Sequence, residues 1–298
     1  MGLPTPRAGT EDEFATGLAV AQMAAAAEAA GFEAVFVTEH PFPDDEWLAS
    51  GGHHALDPMV ALAFAAAATT TLRLQTNLYI PAYRNPFLSA KAIASLDALS
   101  GGRVVLVIGT GYLEPEYEAL GVAFEERNDL TDEAIVAMKQ AWTSDGVSFE
   151  GRHFRAREHT MLPRPAQRPH PPIWVGGNSK RAIRRAVELG DGWIPLVNPA
   201  RAVERRRTPA METLDDLSAR IAYAREHAAS VGRSAPLGIM FALGGLRFDG
   251  SLVDLAGQLR EVGVTELYTA TRPVETRADW LSQVEHMGAD LLPKIAAL

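Results

Sequence analysis

Alanine-rich stretches of helical character alternate with short runs of Val, Ile, Leu and Phe along most of this chain. A strand lying parallel to its predecessor needs a crossover of about a dozen residues or more, and a helix supplies it, so the alternation points to a parallel sheet covered by helices. Strands are expected at Ala34 to Thr38, Leu72 to Ile80, Arg103 to Ile108, Pro172 to Val175, Gly192 to Pro195, Leu237 to Leu243 and Glu266 to Ala270. A stub at Gly2-Leu3-Pro4 makes an eighth. Helices are expected between them: residues 14–30, 55–70, 86–99, 129–142, 180–189, 214–230, 252–261 and from about Ala278 onward. Eight such units close into a (β/α)8 TIM barrel, and 298 residues suit a single domain over residues 1–298. An open doubly wound sheet would want a glycine fingerprint after its first strand, and Pro4-Thr5-Pro6-Arg7 offers none. The alternation breaks across residues 144–172, where a polar β-hairpin turning at Glu150-Gly151-Arg152 leads into a proline-rich segment, an insertion suited to a lid.

Charge and composition narrow the function. A formal net charge of −9, with no basic run longer than Arg205-Arg206-Arg207, argues against general affinity for nucleic acid. The chain has no cysteine, which removes disulfides, thiolate metal sites and cysteine nucleophiles. It opens without a charged segment followed by an apolar one, and its longest low-polarity stretch, Ala55 to Thr71, is broken by Asp57 and Pro58. The expectation is a cytoplasmic protein acting on a small molecule, with no nucleic-acid or membrane partner.

In a barrel, ligands sit at the C-terminal ends of the strands, and four of those ends carry informative residues. They are Glu39 and His40, the segment from Asn77 through Leu78 to Pro81, Gly109-Thr110-Gly111-Tyr112, and Gly176-Gly177-Asn178-Ser179. The last follows the buried strand Ile173-Trp174-Val175 and opens a helix that Asn178 or Ser179 can cap. Unpaired amides at that helix start favour an anion, although Gly-Gly-Asn alone is equally a tight turn. His40 and Tyr112 are the polar groups suited to proton handling or to hydrogen bonds with a ring. Glu39 neighbours His40 in the chain and so presents a different face, and a lone strand-end histidine is often structural. His53, His54 and Asp57 could join His40 as metal ligands, but they share one loop and no strand offers a His-x-His pair. No metal is expected, and Asp57 before Pro58 reads as a helix N-cap. The arginine triplet could reach an acidic cofactor tail but reads first as a solvated helical face, and Trp142, Trp174 and Trp193 read as core.

At these residues a family resemblance becomes specific. The ordered segments Val35 to His40, Thr76 to Pro86, Leu99 to Tyr112, Ala123 to Arg127, Pro172 to Asn178 and Gly190 to Trp193 resemble the bacterial luciferase-like monooxygenase family. Within it they look like the actinobacterial branch that uses the deazaflavin coenzyme F420. The resemblance implies an eight-stranded barrel holding a reduced flavin or deazaflavin in its mouth, with His40 near the ring and substrate. It implies a non-prolyl cis peptide at Asn77-Leu78 behind the ring. Thr110, Gly111 and Tyr112 would lie along the ring edge, and Gly176, Gly177, Asn178 and Ser179 would lie at the phosphate. Two departures stand out: Tyr112 occupies a position where some sugar dehydrogenases of the family carry an acidic glutamate, and the first strand is shorter than usual, so the chain is expected to close raggedly or to start late. The implied activity is hydride transfer between F420 and an organic substrate by a homodimer. The alternatives are an FMN-dependent monooxygenase fed by a separate flavin reductase, a non-catalytic flavin-binding barrel, and a metal-dependent barrel hydrolase.

Overall fold

The computed structural model describes residues 1–298. Its strands are β1 (Ala34–Val37), β2 (Arg73–Thr76), β3 (Val104–Ile108), β4 (Val147–Glu150), β5 (Arg155–His159), β6 (Ile173–Gly176), β7 (Gly192–Ile194), β8 (Gly238–Ala242) and β9 (Glu266–Tyr268). The helices are α1 (Glu11–Phe14), α2 (Gly17–Ala29), α3 (Asp45–Ala49), α4 (Pro58–Ala68), α5 (Pro86–Leu99), α6 (Glu114–Ala119), α7 (Arg127–Thr143), α8 (Lys180–Leu189), α9 (Val203–Arg206), α10 (Leu214–Ser230), α11 (Leu252–Val262), α12 (Arg277–His286) and α13 (Leu292–Ala296). No helix is long and apolar enough to cross a membrane.

Seven strands form one sheet in the order β1-β2-β3-β6-β7-β8-β9, and each neighbouring pair is parallel. The expected hairpin is present as the antiparallel pair β4 and β5, outside that sheet. The eighth strand is not formed as one: Gly2 makes a single parallel bridge to Phe36. Its backbone is nevertheless paired on both sides, because Gly2 N–H donates to the Thr269 carbonyl while Leu3 N–H donates to Phe36 and Phe36 N–H donates to Met1. Pro4 lacks an N–H and ends the ladder there. The second expected strand also proves shorter. It stops at Thr76, and the chain regains pairing at Tyr79, which bridges Ile108 after the cis peptide Asn77-Leu78.

A parallel strand covered on both faces must be apolar on both, which explains the unbroken Val-Val-Leu-Val-Ile of β3. Val104, Leu106 and Ile108 pack outward into the main core beneath the helices, while Val105 and Val107 point inward with Trp174, Ile194 and Met240. Trp174 fills the sheet's interior only because two neighbouring strands begin with glycine. A methyl group on Gly192 would lie 2.2 Å from the indole, and one on Gly238 would lie 2.4 Å from it. Trp142 and Trp193 are core residues whose indole N–H groups donate to the carbonyls of Ala90 and Gly177.

The indole of Trp174 is held rigidly, so Gly192→Ala must move backbone. We expect a loss of about 1–3 kcal/mol in unfolding free energy by chemical denaturation, as for overpacked cores. Unchanged stability would mean that the interior is looser than described.

Candidate active site

The ends of β1, β2, β3, β6 and β7 open onto a cavity of about 370 Å³. Every residue proposed from sequence lines it except Asn178: Glu39, His40, Asn77, Leu78, Thr110, Gly111, Tyr112, Gly176, Gly177 and Ser179 all face it. Tyr83, Asn128, Arg185, Arg206, Arg207, Thr208 and Tyr268 contribute further wall.

His40 follows β1 directly. Its Nδ1 lies 3.2 Å from Oε2 of Glu116, a side chain on α6 with no solvent exposure. The Tyr83 hydroxyl donates to the same oxygen at 2.9 Å, and Phe42 N–H donates to Oε1 at 3.2 Å. Around the imidazole stand the rings of Trp47 at 4.4 Å, His53 at 5.1 Å and Tyr112 at 5.9 Å. Burial raises the Tyr112 phenol, which therefore keeps its proton and can donate it to a hydrogen bond. Burial pushes Tyr268, another lining residue, whose ring packs edge-on against Phe36 of β1, up to about 12.

Glu39 is engaged elsewhere. Its Oε2 accepts the Ile80 N–H at 2.5 Å, and its Oε1 accepts from the Arg84 guanidinium at 2.5 Å. Burial pushes its carboxyl up to about 7 against the pull of Arg84. Both oxygens thus tie the end of β1 to the turn after β2, and that geometry suits holding the turn better than reaching a substrate.

The cavity floor is the Leu78 side chain. A methyl group on Gly109 would sit 2.6 Å from Leu78 Cδ1, and one on Gly176 would sit 2.7 Å from it. These two strand-end glycines therefore admit Leu78 across the ends of β3 and β6. Gly111 adopts a left-handed φ of 64°, and a Cβ there would meet Tyr117 at 2.9 Å. The Tyr117 hydroxyl in turn donates to the Thr110 carbonyl at 2.6 Å, fixing the loop after β3.

Ser179, and not Asn178, caps α8: its hydroxyl accepts the Ala182 N–H at 3.1 Å. Asn178 is turned inward, away from the phosphate position expected for it. Its amide donates to the carbonyls of Leu196 and Pro209 and accepts the Leu196 N–H, each at 2.8 Å. It clasps residues 196–209 against the helix start, so those hydrogen bonds leave the side chain no free donor. The clasped segment brings Arg206 and Arg207 to the cavity rim, where both remain exposed to solvent. Arg185 joins them from α8, buried and bonded to Asp132 and to Asn128. It is the one charge on the buried stripe Ala182, Ile183, Ala186 and Val187, a signal present in the sequence. Glu116 had no such signal, because nothing in Glu114-Pro115-Glu116 separates the two acids. Asp57 caps α4 as expected, accepting the N–H groups of Met59 and Val60.

A flat ring with a phosphorylated tail fits these residues. The glycine-cradled Leu78 gives an apolar floor, while the start of α8 with Arg206, and with Arg185 and Arg207 paired to Asp132 and Glu114, gives a guanidinium-rich cationic wall. Thr38 Oγ1 is buried at the cavity with no partner in the protein, a polar atom left for a ligand.

A model of the luciferase-like monooxygenase family matches residues 5–245, and the chain belongs to that family. It is 36% identical over 190 residues to an F420-dependent hydroxymycolic acid dehydrogenase of Mycobacterium tuberculosis, covering 62% of this chain and 50% of that protein. It is 30% identical over 217 residues to an FMNH2-dependent dimethylsulfone monooxygenase of Pseudomonas putida, covering 72% of this chain and 56% of that protein. The chain thus spans about half the length of these two curated relatives. Among solved structures, a monooxygenase from Streptomyces bottropensis superposes with a TM-score of 0.74 at 21% identity, covering 98% of both chains, a likeness of fold.

Replacing Gly176 by Ala should displace Leu78 from the floor. We expect weakened binding of a flavin-type ligand, measured by fluorescence titration, together with a lower thermal midpoint. Undiminished binding would show that Leu78 does not form the floor.

Proposed function

We propose that this protein is an oxidoreductase transferring a hydride between coenzyme F420 and an organic small molecule. The observation that carries the reading is the pairing of His40, backed by a buried carboxylate, with the cationic wall at α8 in one cavity. The F420-dependent relative supports the choice of cofactor. In this reading a bound deazaflavin supplies the carbon that accepts or gives the hydride. Leu78, Thr110, Gly111, Gly176 and Gly177 hold its ring, and Ser179, Arg185, Arg206 and Arg207 hold its anionic tail. His40 takes or returns the substrate proton, and Tyr112 donates a hydrogen bond to the substrate oxygen. Glu39 and Asn178 hold the turns that carry these groups.

The fold itself is read here as a single barrel domain with residues 144–172 inserted. Met1–Leu3, paired toward both β1 and the residue after β9, takes the place of the eighth strand.

The FMN-dependent relative, which matches more of this chain, favours a second reading: a monooxygenase that accepts reduced FMN from a separate reductase. Titration of the purified protein with F420 and with FMN separates the two. We expect F420 to bind and FMN to bind at least about tenfold more weakly, a difference of about 1.4 kcal/mol. Binding of FMN alone would overturn the F420 assignment. His40→Ala should lower turnover about 10²- to 10⁴-fold while leaving cofactor affinity in place.

A homodimer is also part of this proposal. The outer faces of α2 and α4 expose Leu18, Ala25, Ala29, Val60, Ala63, Phe64 and Ala67, with Gln22 as the only uncharged polar side chain among them. The helices meet closely, since Gly17 leaves room for the Phe64 ring. A largely apolar face, with the Glu28 carboxylate at its edge tied to Thr70, Thr71 and Leu72, suits a second copy of itself. Sedimentation should give a dimer that Phe64→Glu converts to monomer; a monomeric wild-type protein would contradict the assignment.

A further inference from the structure

Glu116 is fully buried, and His40 is the one basic side chain in contact with it. Arg84, the nearby guanidinium of the turn after β2, is bonded to Glu39, and the Tyr117 hydroxyl is bonded to Thr110. Glu116 therefore has three neighbours of its own: Phe42 N–H at Oε1, and Tyr83 O–H together with His40 Nδ1 at Oε2. Burial, and then the Glu116 charge, push the Tyr83 phenol far above its ordinary range, so its proton stays in place as a donor. A carboxylate already receiving one N–H and one O–H acts as an acceptor toward the third partner. A neutral imidazole has one proton, and this contact draws it to Nδ1. The other nitrogen, Nε2, makes no hydrogen bond within the protein, and the ring lines the cavity.

We propose that Glu116 is a positioning residue that fixes His40 as the Nδ1–H tautomer and leaves the Nε2 lone pair facing the cavity as the proton acceptor. The consequence for turnover rests on the hydride-transfer reading above, whereas the tautomer itself does not. For a substrate carrying a hydroxyl, the carbon–hydrogen bond breaks with its electron pair passing to the cofactor as hydride. The oxygen–hydrogen bond breaks with its proton passing to Nε2, and the carbon–oxygen bond becomes double. His40 is left as an imidazolium, whose Nδ1–H still points at the Glu116 carboxylate. The opposite tautomer would present an N–H to the substrate hydroxyl and could not take its proton, which is the reason a buried carboxylate behind a catalytic histidine matters in other enzymes.

The test is the protonation pattern of the His40 ring in the full-length protein labelled with ¹⁵N-histidine. Two-bond ¹H–¹⁵N correlation spectra are assigned by the signals missing in His40→Ala and recorded at a pH where the ring is neutral. We expect a protonated Nδ1 and an unprotonated Nε2 in the wild-type protein. In Glu116→Gln, whose amide can donate as well as accept, the Nε2–H form should become populated. In that variant kcat should fall about 100-fold with KM little changed. A wild-type His40 carrying its proton on Nε2, or a tautomer unaltered in Glu116→Gln, overturns the proposal. The wild-type spectrum alone decides the first point, so a Glu116→Gln variant that fails to fold leaves the proposal open to refutation. Full turnover by His40→Ala would overturn the proton-transfer reading and the kinetic consequence drawn from it here, with the tautomer unaffected.

Discussion

Leu78 reaches across the ends of two neighbouring strands because Gly109 and Gly176 have no side chains to stop it. That contact joins the turn after β2 to the ends of β3 and β6 and makes one surface of three separate loops. Everything around the cavity is arranged with respect to it. Glu39 holds the turn from the β1 side through Ile80 and Arg84, and Tyr117 holds the loop after β3 through the Thr110 carbonyl. Deeper in, Trp174 repeats the device, filling space left by Gly192 and Gly238. At these four positions glycine admits a neighbouring side chain, and the flat floor follows from Gly109 and Gly176.

Two buried acids show how the site separates support from chemistry. Burying a carboxylate costs several kcal/mol unless hydrogen bonds or a cation offset it. Glu39 is offset by Arg84 and a backbone amide, so both of its oxygens are occupied by the scaffold. Glu116 has a backbone amide, a phenol and the imidazole of His40, so its charge bears directly on a residue that lines the cavity. Adjacent positions in the sequence, Glu39 and His40, thereby take opposite roles. Their alternation along the strand end is what separates them.

Much of this was legible in the sequence. The helix and strand alternation pointed to a parallel sheet, and the apolar run Ile173-Trp174-Val175 announced a buried strand, which β6 is. The cis peptide at Asn77-Leu78 stands where the family resemblance implied it. What escaped were the long-range contacts. Gly2-Leu3-Pro4 looked like the stub of an eighth strand, yet Pro4 cannot donate and Met1–Leu3 does the pairing. Asn178 looked like a ligand for phosphate, but the loop carrying Pro209 folds back and takes both of its donor hydrogens. Arg206 and Arg207 are solvated as read, and only that fold-back also brings them to the cavity. Glu116 lies 76 positions from His40, and no local pattern could pair them.

The central claim is that this cavity holds F420 for hydride transfer. Purifying the full-length protein without added cofactor from a host that makes both F420 and FMN, then identifying the bound small molecule by mass spectrometry, tests it most directly. The account predicts F420, bound through its ring and anionic tail and lost when Arg185 and Arg206 are replaced by Ala. Recovery of FMN alone from the same host would contradict it.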